Sequence, residues 1–484
     1  MLKKIASLSA LLVIFSLSIG AIYNILSFKY GDGILGLEYL YEQDDDTVDV
    51  LVLGSSHAFE DVNTSVLYER YGISSYILAG SVQPFWNSYY YLQEALQKQR
   101  PQMVVLEGYA ATLNFDYSDH SKIIKNNLGI RDVPARIESI IVSSPADKTD
   151  DYIFSYRLWH SRYREISESD FKDYYEKPKL KYYKGFGINF ATTSFETPDV
   201  RNYQGMTDIN KKEEEYLRKI IELCRQQEIP LIIVVSPYAL TETEQSKYNY
   251  LESIALEYQI SFINYNSEAA YSRMGLDFNS DMADRDHLNY LGNIKYTNVL
   301  GEDIQNYMPL SDHRGDARYS SWEMNSKDIH ARTADFKAAS ATTGDDLASA
   351  FDGSVHSIYV YTISDTGRIC ENTDVFGKLG IESGLMKDGG LYLIKNLLCR
   401  QISDQGLQWE YEESFDGKWL SVKNGLLVED SRIVDKKSLV FNGKQYIDDP
   451  QGIYLFIYDN FTKELVGVKQ MRMNGDGDVE VLNK

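Results

Sequence analysis

The sequence predicts an α/β chain in three parts. A transmembrane helix occupies residues 1–28, a parallel sheet with helices on both faces 45–310, and a mostly-β domain 331–484. Three observations predict this. An uncharged apolar run follows two lysines at the start. From Thr47, near-continuous apolar runs alternate with amphipathic segments. After about residue 330 helical periodicity gives way to short β-rich runs separated by Gly, Asp and Asn turns. A length of 484 residues also exceeds what one core usually serves.

The elements follow in order. Lys3 and Lys4 precede an uncharged run from Ile5 to Leu26, long enough to cross a bilayer core of about 30 Å as a helix. The lysines favour an N-terminus inside and the bulk outside. A cleaved signal peptide is the competing reading, with small residues at Ser18 and Gly20. Both place the chain beyond about Lys29 outside the cytoplasm. VDVLVLG is the first strand, SSYILAG (Ser74–Gly80) the second, PQMVVLEG (Pro101–Gly108) the third, IPLIIVVSPY (Ile229–Tyr238) the fourth and SFINYN the fifth. Their continuous apolar character fits parallel strands covered on both faces. Helical periodicity marks Trp86–Arg100, the KKEEEYLRKIIELCRQQEI stretch, YLESIALEYQI and GNIKYTNVLGEDIQNYM. Residues 114–204 interrupt the alternation and are expected to be an insertion over the top of the sheet. Residues 311–330 are polar, lack periodicity and read as a linker. Beyond them HSIYVYTIS, GLYLIKNLL, KSLVFNGKQYI, GIYLFIYDN and ELVGVKQMRM read as strands.

Composition excludes some classes of function. Lys+Arg 49 against Asp+Glu 71 gives a formal charge of -22, which repels phosphate backbones and argues against nucleic acid. The three cysteines, Cys224, Cys370 and Cys399, make no disulfide framework. A Cys370–Cys399 bridge and two free thiols are equal alternatives. No Cys/His cluster has zinc-ligand spacing.

The chemistry concentrates in TVDVLVLGSSHAFED (Thr47–Asp61). A serine hydroxyl needs a base within hydrogen-bond reach, an orienting group for that base, and N–H groups aimed at a developing oxyanion. A turn from strand to helix exposes the serine and supplies N–H groups. Ser55 and Ser56 both stand at this turn. In SDMADRDHLNYLG, Asp284 lies three residues before His287, so one short loop can direct both onto one site. Asp286 is the alternative partner for His287. His57 reads as structural, and Glu107, ending the third strand, as a capping group. The tyrosine runs either stack on sugar rings or pack, and packing is the default.

GSSH on the first strand, glycine ending the second and D-x-x-H before the last helix resemble the SGNH/GDSL hydrolase superfamily over about Thr47–Met308. With the N-terminal helix and HLNYLG, the chain is similar to membrane-anchored DltD-like and alginate O-acetylation proteins. The resemblance implies a flavodoxin-like three-layer fold. Ser56 matches the nucleophile, His287 the base and Asp284 the orienter, with the Ser56 N–H and Gly80 in the oxyanion hole. The third block, G-x-N-D, is absent here, where the strand ends LEGYAATLN. Gln83 or Asn87 is expected to replace its asparagine, and Asn87, His160 and Arg162 to touch substrate. The C-terminal domain resembles the β-sandwich of the ILEI/PANDER family over roughly Ile358–Met473, which implies sugar binding.

The expectation is an extracytoplasmic serine esterase or O-acyltransferase, with acetyl as the group moved, acting on cell-surface polysaccharide. The resemblance implies a membrane-bound O-acyltransferase as partner. The chemistry requires no metal or organic cofactor. The alternatives are a non-catalytic glycan-binding or assembly subunit on the same scaffold, and a carbohydrate deacetylase without a membrane partner.

Overall fold

The computed structural model describes residues 2–26, 32–154, 158, 162–164, 166–168, 170–171, 182–199, 203–351, 355–396, 398–403, 408–429 and 432–484. The chain divides into two compact units, Met1–Ser326 and Lys327–Lys484.

The first unit begins with helix α1 (Leu2–Leu26) and α2 (Asp32–Leu40). Five strands follow: β1 (Val50–Gly54), β2 (Ser75–Ala79), β3 (Met103–Glu107), β4 (Leu231–Val235) and β5 (Ser261–Asn264). All pair in parallel in the order β2-β1-β3-β4-β5, the doubly wound order of flavodoxin-like sheets. The connections are α3 (Ser56–Asp61) and α4 (Thr64–Tyr71) after β1, and α5 (Phe85–Ala95) after β2. After β3 come α6 (His120–Asn127), α7 (Val133–Ser143), α8 (Thr149–Ile153) and α9 (Lys211–Gln226). Then α10 (Glu242–Glu257) follows β4, with α11 (Glu268–Met274) and α12 (Gly292–Tyr307) after β5.

The layers follow from handedness. The chain steps one way from β1 to β2 and the other way from β2 to β3, β4 and β5. Right-handed crossovers in opposite directions put their helices on opposite faces. Accordingly α4 packs with α12, and α5 with α9. The four apolar side chains of β1, Val50 to Leu53, are wholly buried. Each contributes about 1.5–3 kcal/mol, so the register that delivers Gly54 and Ser56 to the sheet's carboxyl edge is strongly fixed. That edge, between β1 and β3, is the topological switch point where such sheets bind ligands.

Two expectations change. α10 starts at Glu242, eight residues before YLESIALEYQI, because Thr241 and Glu244 form a capping box. Residues 311–330 are not all linker: α13 (Ser320–Ser340) begins inside them. Trp322, Asn325, Ser326 and Ile329 are buried at helical spacing. Two of the four are polar, which mutes the apolar periodicity. Among the described residues no helix is long and apolar enough to cross a membrane.

In the second unit α14 (Gly344–Ala350) precedes β6 (His356–Thr362). Helices α15 (Thr366–Asn372) and α16 (Val375–Lys378) lead to β7 (Leu391–Lys395) and β8 (Leu398–Gln401). Then come β9 (Trp409–Phe415), β10 (Lys418–Glu429), β11 (Arg432–Phe441) and β12 (Lys444–Gln445). The chain ends with β13 (Ile453–Asp459), β14 (Glu464–Met473) and β15 (Val479–Asn483). They form two antiparallel sheets, β15-β14-β13-β6-β7-β8 and β12-β11-β10-β9. One core joins both through Tyr359, Phe456, Leu420 and Leu439; a second covers the opposite face of the larger sheet with Ala338 and Leu347. All three cysteines are free thiols, so Cys370 and Cys399 are not bridged.

Candidate active site

The site is built at the end of β1. Gly54 is required there: a Cβ on it would lie 2.7 Å from Glu107 Cβ and 3.0 Å from Ala58 Cβ. The chain then turns through Ser55 in an extended conformation and enters α3 at Ser56. Ser55 is wholly buried, and its Oγ donates to Glu107 Oε2 at 3.4 Å. Ser56 is partly exposed. Of the two serines, Ser56 is therefore the one open to a substrate.

His287 Nε2 lies 2.7 Å from Ser56 Oγ. Its Nδ1 lies 2.9 and 3.0 Å from the two oxygens of Asp284. Asp284 Oδ1 also accepts the backbone N–H groups of Asp286 (2.8 Å) and His287 (3.0 Å), which aims the carboxylate at the ring. Asp286 turns away, accepting from Arg285 Nη1 at 3.0 Å. The loop is pinned at several points. Asp61 Oδ1 accepts the Leu288 N–H at 2.8 Å, and the Ala239 N–H donates to the Arg285 carbonyl at 3.0 Å. Asn289 Oδ1 accepts from Leu291 and Gly292 at the start of α12. A serine 231 residues away in sequence thus meets its histidine through two short, rigid turns.

The electrostatics follow from burial. Burial pulls the His287 pKa down, but the carboxylates of Asp61, Glu60 and Asp284 outweigh it and hold it above the ordinary histidine value. Burial raises the Asp284 pKa, yet its bonds from His287 and the loop amides leave it below the ordinary value. Beneath the triad sits a second group that the sequence reading did not assemble. His57 is buried, stacked on Tyr109 at 4.2 Å with its ring 5.1 Å from that of His287. Neither of its nitrogens has a hydrogen-bond partner, and Nδ1 lies 3.6 Å from Asp61 Oδ2. Burial pushes His57 down to about 4 and Glu107 up to about 7, and lifts Asp61 well above the carboxylate range. Glu107 Oε1 accepts the Tyr109 N–H at 2.9 Å, so it is a buried cap.

The oxyanion side is less regular. Ser56 opens α3, so its N–H has no acceptor within the helix. Gly80 follows the Gly54–Ala79 pair and stands level with Ser55. A Cβ on Gly80 would lie 2.2 Å from Asn126 Oδ1 and 3.2 Å from Gln83 Oε1. Both amide oxygens are buried without a partner. Gln83 Nε2, expected as an oxyanion donor, is directed to Ser88 Oγ at 3.0 Å. Asn126 was not anticipated. It comes from α6, 46 residues beyond Gly80, and nothing local in the sequence marks it.

Two of the residues expected to touch substrate have partners within the protein. Asn87 is wholly buried, and its Nδ2 faces Asn127 Oδ1 (3.1 Å) and Ser139 Oγ (3.0 Å), tying α5 to α6 and α7. Arg162 pairs with Asp170 at 2.6 Å and donates to the Ile25 carbonyl. His160 lies outside the described residues. The insertion contributes instead an extended strap. The Ile77 N–H donates to the Lys184 carbonyl (2.9 Å), the Gly187 N–H to Phe59 (2.8 Å), the Tyr290 N–H to Asn189 (2.9 Å) and the Thr193 N–H to Met282 (2.9 Å). It therefore ties β2, α3 and the His287 loop together. A cavity of about 520 Å³ lies farther along, lined by Thr197, Pro198, Tyr271 and Leu276 among others; no triad residue lines it.

Compared with known proteins, the chain matches no family model and no curated sequence.

Proposed function

We propose that this chain is an extracytoplasmic, membrane-anchored serine esterase or O-acyltransferase that moves an acyl group, acetyl in the simplest case, on cell-surface polysaccharide. The observation that carries this reading is the 2.7 Å contact between Ser56 Oγ and His287 Nε2, continued to Asp284. Active nucleophile–base pairs sit at about 2.6–3.2 Å. The anchor is supported by the eight large apolar side chains that α1 exposes between Leu11 and Ile22. A donor outside the chain, such as a membrane-bound O-acyltransferase, would supply the acyl group. The SGNH resemblance adds the substrate class.

The steps balance on this geometry. His287 Nε2 takes the Ser56 proton as Oγ attacks the acyl carbonyl. The oxyanion meets the N–H groups of Ser56 and Gly80. The tetrahedral intermediate collapses, His287 protonates the departing group, and Ser56 carries an ester. A sugar hydroxyl or water then attacks that ester, giving its proton to His287, and Ser56 regains a proton as the ester breaks. Asp284 stabilises the imidazolium in both halves.

The test is labelling by a fluorophosphonate probe. Labelling at Ser56 is expected, abolished in Ser56→Ala and His287→Ala, retained in Ser55→Ala and slowed about a thousandfold or more in Asp284→Asn. Its rate should rise with pH through a value above the ordinary histidine range, because only neutral imidazole is a base. Folded protein that stays unlabelled would return the weight to a non-catalytic glycan-binding subunit.

A further inference from the structure

The second unit carries a cluster that the triad does not use. His356 opens β6 and Asp459 closes β13, and the two are directly paired across the antiparallel ladder. Their side chains therefore share a face, the same face that Ala338 of α13 covers. Asp335, one helical turn before Ala338, reaches the same point. Its Oδ1 lies 2.8 Å from His356 Nε2. One donor atom from each of the three residues falls within 4.8 Å of the others.

What sets this cluster apart is what it leaves unpaired. Asp459 is wholly buried. Its Oδ1 accepts the N–H groups of Phe461 (2.5 Å) and Thr462 (3.0 Å), which holds the carboxylate in place, and its Oδ2 has no hydrogen-bond partner. His356 is 2% exposed, and its Nδ1 has no partner either. The Phe351 ring stands edge-on to this imidazole at 6.0 Å. Two carboxylates and a histidine with donor atoms this close, two of the three residues buried, favour a positive charge among them.

We propose that Asp335, His356 and Asp459 bind one divalent transition-metal ion, with Zn2+ as the best match. One imidazole and two carboxylates suit zinc. Calcium and magnesium prefer all-oxygen shells. Bonds of about 2.0–2.2 Å at tetrahedral angles separate donor atoms by roughly 3.3 Å. The 2.8 Å His356–Asp335 contact must then open by about half an ångström. Asp335 is the residue able to give way, being part-exposed at 24% on its helix while the other two are fixed in the sheet. The same exposure leaves a fourth position open to water. The ligands stand 21 and 103 residues apart in sequence, so no local spacing motif reveals them.

The competing arrangement is a single proton shared between Asp335 and Asp459. Titration of the full-length, chelator-stripped chain with ZnCl2, CaCl2 for comparison, separates the two. One Zn2+ per chain is expected, with Ca2+ bound at least tenfold more weakly. Affinity for Zn2+ should fall by at least the roughly tenfold to hundredfold seen when a ligand's supporting partner is lost, in Asp459→Asn and in Asp335→Asn. Asp335→Asn sits at the part-exposed position and keeps the fold testable if Asp459→Asn does not fold. Co2+ in place of Zn2+ should give the visible absorption of a four-coordinate ion, lost in either variant. Wild-type chain that takes up no Zn2+, or variants that bind it as tightly as wild type, would overturn the site.

Discussion

Glu107 shows how one residue at the base of the site trades stability against position. It closes β3 with no exposure, caps Tyr109 and holds the Ser55 hydroxyl, so Gly54 and the nucleophile turn rest against it. Burial lifts its pKa from 4.5 to about 7. The sign of the consequence is fixed. The fold favours the protonated acid, so that stabilisation is full below about pH 4.5 and is lost as pH rises through about 7. The gap is worth on the order of 3 kcal/mol. Glu107→Gln keeps the acceptor for Tyr109 and removes the titration. The variant should therefore gain melting temperature over wild type at pH 8, by several degrees, and gain little or nothing at pH 5. Equal differences at both pH values would mean that Glu107 is not held protonated by the fold. The neutral residue also matters for the chemistry above it, because an ionised Glu107 would place a buried charge near His57, one ring away from His287.

At the scale of elements, the strap from Lys184 to Thr193 decides whether the parts of the site stay together. Gly185 sits at φ +85, where a Cβ would lie 2.1 Å from the Ile77 carbonyl oxygen and force the strap off the edge of β2. Gly185→Ala should leave the sheet folded, speed proteolytic cleavage between 182 and 199, and lower Ser56 labelling, since Asn189 and Thr193 no longer brace the His287 loop. Unchanged cleavage and labelling would show that the strap is decoration. The five strands were legible because each centres on a short apolar run bounded by polar or turn residues. The triad was legible because Asp284 and His287 share one loop. The strap was not, since its bonds to Ile77, Phe59, Met282 and Tyr290 join residues about 90 to 130 apart in sequence and its own stretch has neither helical nor strand periodicity. Asn126 escaped for the same reason. β9 reads WEYEESF, with Glu410 and Glu412 on its exposed face and Glu413 on the inward one, so its alternation is masked by a glutamate on the apolar side. α4 carries Thr64 and Ser65 buried, so its inward face does not look apolar.

For the whole molecule, the decisive segment is the one that reads as a linker. Trp322 is 1% exposed, its indole N–H donates to the Ser75 carbonyl at 2.9 Å, and the Lys184 ammonium lies 3.7 Å from its ring centroid. Lys184 also donates to Ser321 Oγ at 2.8 Å, and Asn325 accepts from the Thr64 hydroxyl at 2.9 Å. α13 thus completes the first unit at β2, the edge of the sheet from which the strap departs. Losing a buried tryptophan costs about 3–5 kcal/mol, a large share of a domain's usual 5–15 kcal/mol. A fragment covering 32–340 should then fold and take the fluorophosphonate probe at Ser56. A fragment ending at Leu310, where the apolar periodicity stops, should melt well below it or aggregate, although both contain every residue of the triad. Trp322→Ala in the full-length chain should reproduce the loss, which separates the role of the side chain from that of chain length. If the shorter fragment matches the longer in melting temperature and labelling, α13 belongs to the second unit alone and the boundary lies where composition first placed it.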